Sequence, residues 1–420
     1  MGSHQSHCIV DSGARGRVTY RQVLGDGEFR TMFTAGGLSA VGDQLARIAV
    51  ALLVFERSGS AFAAAATYAS SYLTWLLGGP VLSVLSDRHS RRKLMIAVDL
   101  IRMVLVALLI LPGVPLWLIF AVLAAVGLLS PPFEAARSAL LADVLEGEAY
   151  VLGNALAQTV NQAAQVVGFI GGGALVALIS VEGALLANAA TFALSAFLLV
   201  VGVRERGKQP LTGPASLRHD ALEGARLVAG SPRLRGLLAW GLLSAAIVIA
   251  PEGLAVAITD QAGGGALAAG ALTAAVPAGF LLGSFLLIRV PSGRREPLFV
   301  PLTLVSIVPL LLTPMIDSLL LLTATWILAG TGNALQLIAN ASYVQAVPAQ
   351  LRGRAYAVAG TALAAIQGVV LLLVGGLAEI TDPRLPVAVA ALLGLALLPV
   401  VVRTGRSGVQ GVSQGCRGTT

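Results

Sequence analysis

Few side chains in this sequence could do chemistry. Asp43 and Arg47 stand four apart in an otherwise apolar run, and Glu252 follows Pro251 in another. Positions i and i+4 of a helix share a face, so Asp43 and Arg47 can pair with each other. Shifted by 205 positions, Arg47 falls on Glu252, which gives a cation and a carboxylate equivalent depths in the two halves of the chain. At membrane depth an ionisable side chain costs ~2.5 to 3.5 kcal/mol on insertion scales, so each needs a partner or a wet cavity. A buried carboxylate acted on in turn by burial and by a nearby cation can load and release a proton. Asp43 and Glu252 are therefore the proton-coupling candidates.

A second group is uncharged. Gln158, Asn161, Gln162 and Gln165 lie on one helical face, and Asn333, Gln336 and Asn340 repeat the pattern later in the chain. Facing a central cavity, two amide stripes suit a neutral or weakly charged amphiphile, with Trp75, Trp240 or Trp326 as stacking surfaces. The same amides can serve as interhelical bonds, and the tryptophans as interfacial anchors. No catalytic constellation accompanies them: the four histidines lie outside the apolar runs, and Cys8 and Cys416 lie in opposite tails. No phosphate-binding G-x-x-x-x-G-K-[ST] loop occurs, so ATP is not the driver. Neither a cofactor nor a metal is expected, and the chain does not read as an enzyme.

The elements that hold these residues follow from composition. Of 420 residues, 56% are hydrophobic and 12% charged, half the charge of a soluble domain, and the mean hydropathy is +0.84. A spanning helix takes about 20 apolar residues. Apolar runs occupy about 29–55, 61–85, 93–111, 116–136, 151–179 and 183–203, then 236–258, 262–288, 297–314, 318–347, 354–380 and 385–402. The expected fold is an all-α membrane protein of twelve transmembrane helices in two six-helix bundles. Its expected parts are an N-terminal tail over 1–28, a bundle over 29–203, a linker over 204–235, a bundle over 236–403 and a C-terminal tail over 404–420. The first 28 residues contain no apolar run, so no cleavable signal peptide is expected.

Of 28 Lys and Arg, 24 fall on the side of the tails and linker and two on the opposite side, which predicts both termini in the cytoplasm. A net charge of +7 reflects that bias and anionic inner-leaflet lipid, and no nucleic-acid partner is expected. The halves align with themselves: Arg91-Arg92 with Arg294-Arg295, Ala149-Tyr150 with Ala355-Tyr356, and Gly172-Gly173 with Gly375-Gly376, at offsets of 203, 206 and 203. Two such bundles enclose a cavity between them, the geometry of alternating-access carriers.

Ser83-Val84-Leu85-Ser86-Asp87-Arg88-His89-Ser90-Arg91-Arg92-Lys93 resembles the loop signature G-x-L-A-D-R-x-G-R-R/K of the major facilitator superfamily, with serines at 83 and 90 where the family has glycine. With Val41-Gly42-Asp43-Gln44-Leu45 and the Pro131-Pro132-Phe133-Glu134-Ala135-Ala136-Arg137 turn, the chain looks like the branch containing the enterobactin exporter and related bacterial efflux proteins. Gly168, Gly171, Gly172 and Gly173 resemble a degraded antiporter signature, G-x-x-x-G-P-x-x-G-G, without its proline. The resemblance implies a cytoplasmic gate at Asp87, Arg88 and Arg91, with Asp87 meeting the start of the eleventh span near Gly353 to Ala355. It also implies that the first and seventh spans approach each other at the outer side of the cavity, where an Arg47–Glu252 bridge would close the outer gate. A plain positive-inside anchor is the other reading of the loop, and the better one for Arg92 and Lys93. Near the ends of their spans, Asp99 with Arg102 and Glu134 with Arg137 are expected to snorkel or to pair locally.

The function these readings support is a monomeric, proton-driven exporter of a small organic compound, such as a drug, siderophore or secondary metabolite, in the bacterial inner membrane. Export is what the resemblance implies. An uptake carrier for a nutrient or lysolipid is the alternative, and a non-transporting membrane receptor is a third.

Overall fold

A backbone in lipid must satisfy its own hydrogen bonds, so apolar runs of this length can only be helices. The computed structural model describes residues 19–82, 90–206, 217–291, 294–348 and 351–415, and among them it contains helices and no strands. A short α1 (Tyr20–Gly25) leads into α2 (Gly27–Ser58), whose first turn is capped by Asp26 accepting the Phe29 N–H at 2.7 Å. Then come α3 (Ala61–Leu82), α4 (Arg91–Leu108), α5 (Leu116–Leu128), α6 (Ser130–Val144), α7 (Gly147–Leu178) and α8 (Val181–Gly202). The second half holds α9 (Leu217–Gly230), α10 (Pro232–Gln261), α11 (Ala266–Ile288), α12 (Phe299–Leu311), α13 (Leu319–Gly332), α14 (Leu335–Ala346), α15 (Arg352–Ala378) and α16 (Leu385–Gly415).

These helices make twelve passes, because α5 with α6 and α13 with α14 are each one broken pass. In the first, Pro131 and Pro132 open α6 and remove two backbone donors. In the second the break falls at Asn333–Ala334, about 204 positions on, in step with the internal repeat. Ten passes among the described residues are long and apolar enough to cross a bilayer by themselves. The other two, α3 and α4, complete the first bundle by position.

The linker is not wholly extended. Within 204–235, α9 carries His219 and packs on α15, so closely that a Cβ at Gly224 would stand 2.7 Å from the Arg354 carbonyl oxygen. Glu223 pairs with Arg354 across that contact.

Each bundle has its own core, around Phe192 and Ile119 in the first and Trp326 and Leu335 in the second. A further cluster belongs to neither: Ile48, Leu52, Tyr68 and Phe169 of one bundle pack against Ile249, Val256, Ala274 and Leu371 of the other. This seam lies toward the side opposite the chain termini, called here the far side. The principal contacts across it are α3 with α15 and α7 with α11. Small residues allow the approach. A Cβ at Gly173 would come within 2.5 Å of the Ala266 carbonyl oxygen, and one at Gly375 within 2.8 Å of the Ala65 Cβ.

Close glycine contacts inside a bundle and across the seam differ in consequence. In Gly279→Leu the new side chain meets the Ile327 carbonyl within the second bundle, which should destabilise the fold by about 1 to 3 kcal/mol or more and lower the melting temperature of purified protein. The bundles can relieve Gly173→Leu by separating. Its melting temperature should stay near that of the parent, while reagents reach the far side of the seam more readily.

Candidate functional site

α2 carries Asp43 and Arg47 one turn apart, and α10 carries Glu252 directly after the in-helix Pro251. The two helices meet at the seam, where Arg47 NH1 stands 3.4 Å from Glu252 Oε1. The same NH1 donates to Gln44 Oε1 at 3.2 Å. Tyr72 and Tyr68 of α3 offer their ring faces to the guanidinium at 5.3 and 6.0 Å, a cation–π arrangement that attracts a cation out of water. Both charged side chains keep only 20% and 13% of their surface. Nothing in the sequence pattern marks the tyrosine pair beyond the spacing of Tyr68 and Tyr72, which four apart share one face of the second span.

Asp43 takes no part in that pair. Among the described residues it has no hydrogen-bonded or ionic partner, so the local Asp43–Arg47 bridge that the spacing permits is not formed. It lines a cavity of about 390 Å³ together with Arg47, Tyr72, Trp75, Ser130, Asn188 and Gln367. A larger cavity of about 720 Å³ lies beside it, lined by Gln158, Gln162, Gln336, Asn340, Tyr343, Tyr356, Phe280 and Phe285. Gly360 and Leu363 of α15 line both, so the charged cavity and the amide-bearing one are neighbours across one helix. Tyr356 OH donates to Asn340 Oδ1 at 2.5 Å. Gln165 Nε2 donates to Gln162 Oε1 at 2.9 Å, and Asn161 is half-buried outside both linings.

Several expectations need correction. Asn333 does not face the cavity: it is buried and accepts a hydrogen bond from Ser244 Oγ at 2.6 Å, because the break in its pass turns it toward α10. Trp240 stacks on Phe299 at 5.1 Å, and Trp326 is fully buried with its Nε1 donating to Thr313 Oγ1 at 3.1 Å. Both tryptophans are core residues, whereas Trp75 lines the cavity that holds Asp43. The glycines of the fifth pass divide similarly. Gly168 and Gly172 pack on the α2 backbone, Gly173 crosses to α11, and Gly171 meets nothing within 4 Å.

Asp99 and Arg102 do not snorkel. Asp99 is fully buried and accepts from Ser195 Oγ at 2.7 Å, and Arg102 donates to Ser130 Oγ at 2.8 Å between the rings of Phe133 and Phe192. Asp99 Oδ1 and Arg102 Nε are left without partners among the described residues. Through Ser130 this network backs directly onto the cavity that holds Asp43. Glu134 and Arg137 pair locally at 2.6 Å.

On the side of the termini, Asp87 and Arg88 lie outside the described residues. Arg91 pairs with Asp143 and donates to the Ala139 carbonyl at 3.2 Å, both in its own bundle. Arg92 donates to the Leu199 and Val200 carbonyls near the C-terminal end of α8, the end a helix dipole makes attractive to cations. Lys93 Nζ reaches Glu205 Oε1 at 2.5 Å, a hydrogen bond that holds the exposed Glu205 carboxyl below its ordinary range.

Comparison with known proteins bears on the whole arrangement. Residues 32–366 match the family model described as Major Facilitator Superfamily. Over 100 residues the chain is 29% identical to "Macrolide efflux protein A" of Streptococcus pyogenes, a match that covers 23% of this chain and 25% of that protein. The chain thus spans about a quarter of the length of the curated relatives it matches. Among solved structures, a POT family transporter in complex with a thioalcohol-conjugated peptide superposes with a TM-score of 0.72 at 12% identity, covering 90% of this chain and 96% of that one. A point mutant of the nucleoside transporter NupG gives 0.68 at 14%, covering 90% and 99%. A bacterial homologue of the human lysosomal transporter Spinster, in an inward-facing and occupied conformation, gives 0.66 at 15%, covering 95% and 96%. At these identities the likeness is one of fold.

The buried Asp99–Arg102 network predicts a particular pattern of stability. Arg102→Ala removes a nearby cation, the bond to Ser130 and the group packed between Phe133 and Phe192, a loss of about 2 to 5 kcal/mol for a large-to-small change in a core. Thermal unfolding in detergent should show a large loss for Arg102→Ala and recovery of most of it in the Asp99→Asn, Arg102→Met double variant.

Proposed function

Because this chain belongs to the major facilitator superfamily, we propose that it is a proton-driven exporter of a small organic compound working by alternating access. Membership makes it a multi-pass membrane transporter of small molecules and not an enzyme. The remainder is our reading. We place it in the bacterial inner membrane, as a monomer with both termini in the cytoplasm, so the far side is the outer side.

One observation carries the reading: Asp43, unpartnered among the described residues and open to a cavity, stands one helical turn from an Arg47 that bridges to the other bundle. In the far-closed arrangement Glu252 engages Arg47. When the bundles part on the far side, the pair breaks and Arg47 is free to act on Asp43, one turn away, favouring its charged form and hence proton release. Arg47 and Arg102 both lie close enough to act on Asp43 electrostatically. Asp43 and Glu252 are thus the proton-coupling pair, and Arg47 with Glu252 the outer gate. Asp87, Arg88 and Arg91 form the cytoplasmic gate when the far side is open, and Arg91 then leaves Asp143.

Gln158, Gln162, Gln336 and Asn340, set among aromatic and aliphatic side chains, suit a largely apolar compound with a few hydrogen-bonding groups. The macrolide efflux relative supports both the outward direction and a bulky organic substrate.

In a drug-sensitive host, cells expressing the protein should accumulate less of a transported compound, and collapse of the proton gradient should abolish the difference. Asp43→Asn and Glu252→Gln should each cut transport at least about tenfold, the effect of about 1.4 kcal/mol or more on the limiting step. Arg47→Ala should do the same. Accumulation that falls when the gradient is collapsed would reverse the direction and favour uptake.

A further inference from the structure

The seam is closed by more than the buried ion pair. At its far-side rim Glu379, the residue that ends α15 of the second bundle, reaches the start of α3 in the first. Its Oε1 accepts the Phe62 backbone N–H at 2.7 Å and the Ser60 hydroxyl at 2.8 Å, while Ser60 Oγ in turn accepts the Ala63 N–H at 2.9 Å. The first N–H groups of a helix have no partners within it, and the positive end of the helix dipole favours an anion. A helix of one bundle is therefore capped by a carboxylate of the other. That contact cannot survive separation of the bundles.

The internal repeat supplies a control. Shifted by 205, Ser60 and Ala61 fall on Gly265 and Ala266 at the start of α11, and Glu379 falls on Ala174 of α7. The pseudo-equivalent contact, α7 against α11, has no side-chain cap at Gly265 and closes by Gly173 against Gly270. The repeat thus builds one seam from apolar packing with glycines at its closest approach and the other with a carboxylate cap added.

We infer that Glu379 is a gate residue of the transport cycle, a charged cap that holds the far side closed and lets go when the carboxylate is neutralised. The inference rests on the alternating-access reading above. The α3 amides and Ser60 hold the Glu379 carboxyl below the ordinary carboxylate range. A group whose charged form is favoured in the closed state adds its stabilisation above the ordinary glutamate range and loses it as pH falls through that range and below. Neighbouring charges are engaged elsewhere. Asp382 accepts from Gln261 Nε2 at 3.1 Å and from the Arg384 N–H at 2.8 Å, Arg384 pairs with Asp317 at 2.7 Å, and Arg57 donates to the Val114 carbonyl at 2.6 Å. Glu56 is exposed at the end of α2.

The test needs no substrate. With Cys8 and Cys416 replaced by serine, spin labels at Ile179→Cys and Met315→Cys report the far-side distance between bundles in nanodiscs by pulsed dipolar spectroscopy. At about pH 7 the parent should populate chiefly the short distance, and at about pH 4, around the ordinary glutamate range, the long one should grow. Glu379→Gln should raise the long-distance population roughly fivefold at neutral pH and shrink the pH response to the part that Asp43 and Glu252 contribute. Ser60→Ala, which keeps the charge and one N–H bond, should give a smaller rise and retain the response. A Glu379→Gln distribution equal to the parent's, or a pH response undiminished in it, overturns the inference. A far side that opens in no variant and at no pH overturns it together with alternating access, whereas failure to find a transported compound touches only the exporter reading.

Discussion

A guanidinium largely buried in a seam between two bundles calls for a counter-charge, and for Arg47 the counter-charge belongs to the other half of the molecule. Arg47 reaches the seam from α2, Glu252 from α10, and they meet at 3.4 Å among Tyr68, Tyr72 and a cluster of aliphatic side chains drawn from both bundles. Ion pairs of this kind are weak sources of net stability, because desolvation offsets most of the attraction, but breaking one by removal of a single partner is strongly unfavourable. The pair therefore acts more as a specification of how the bundles dock than as glue. When they part, water must enter to solvate what the seam no longer satisfies.

The rest of the far side is arranged to make that docking close. Glycines at 173, 270 and 375 bring backbones together with no side chain to interlock, and so the contacts give shape more than adhesion. The polar contacts across the bundles sit at two depths, Arg47–Glu252 within the seam and Glu379–Ser60 at its rim. Inside the first bundle, by contrast, Arg102 is locked between two phenylalanine rings and bound to Ser130, an arrangement with nothing to move against. Charges that bridge the bundles thus differ from charges buried within one: in the cycle proposed here the first exchange partners, while the second stay in the wall of the cavity.

Much of this was legible in the sequence because hydropathy and duplication are strong signals. Twelve passes, two halves and their break, and the equivalent depths of Arg47 and Glu252, follow from apolar runs and a constant offset. Amide positions were harder to read. Gln158, Gln162, Gln336 and Asn340 line a cavity while Asn333, three residues before Gln336, is turned into the core, because the break at Asn333–Ala334 changes the helical phase that the periodicity assumed. Asp99 and Arg102 were misplaced at a helix end because a count of residues gives depth along a helix but not which neighbours surround it. Glu379 escaped notice because a cap across bundles joins residues 319 apart and has no local pattern.

The central claim is that closure of the seam depends on the charge pair within it. A single cysteine at Ile249, beside that pair, should be shielded in the far-closed protein from a bulky, membrane-impermeant thiol reagent added from the far side. The account predicts that labelling is slow in the otherwise unaltered protein, rises several-fold when Glu252→Gln is added, and falls again when Arg47→Gln is combined with it, leaving two neutral amides in the seam. Equal labelling rates in all three would contradict it.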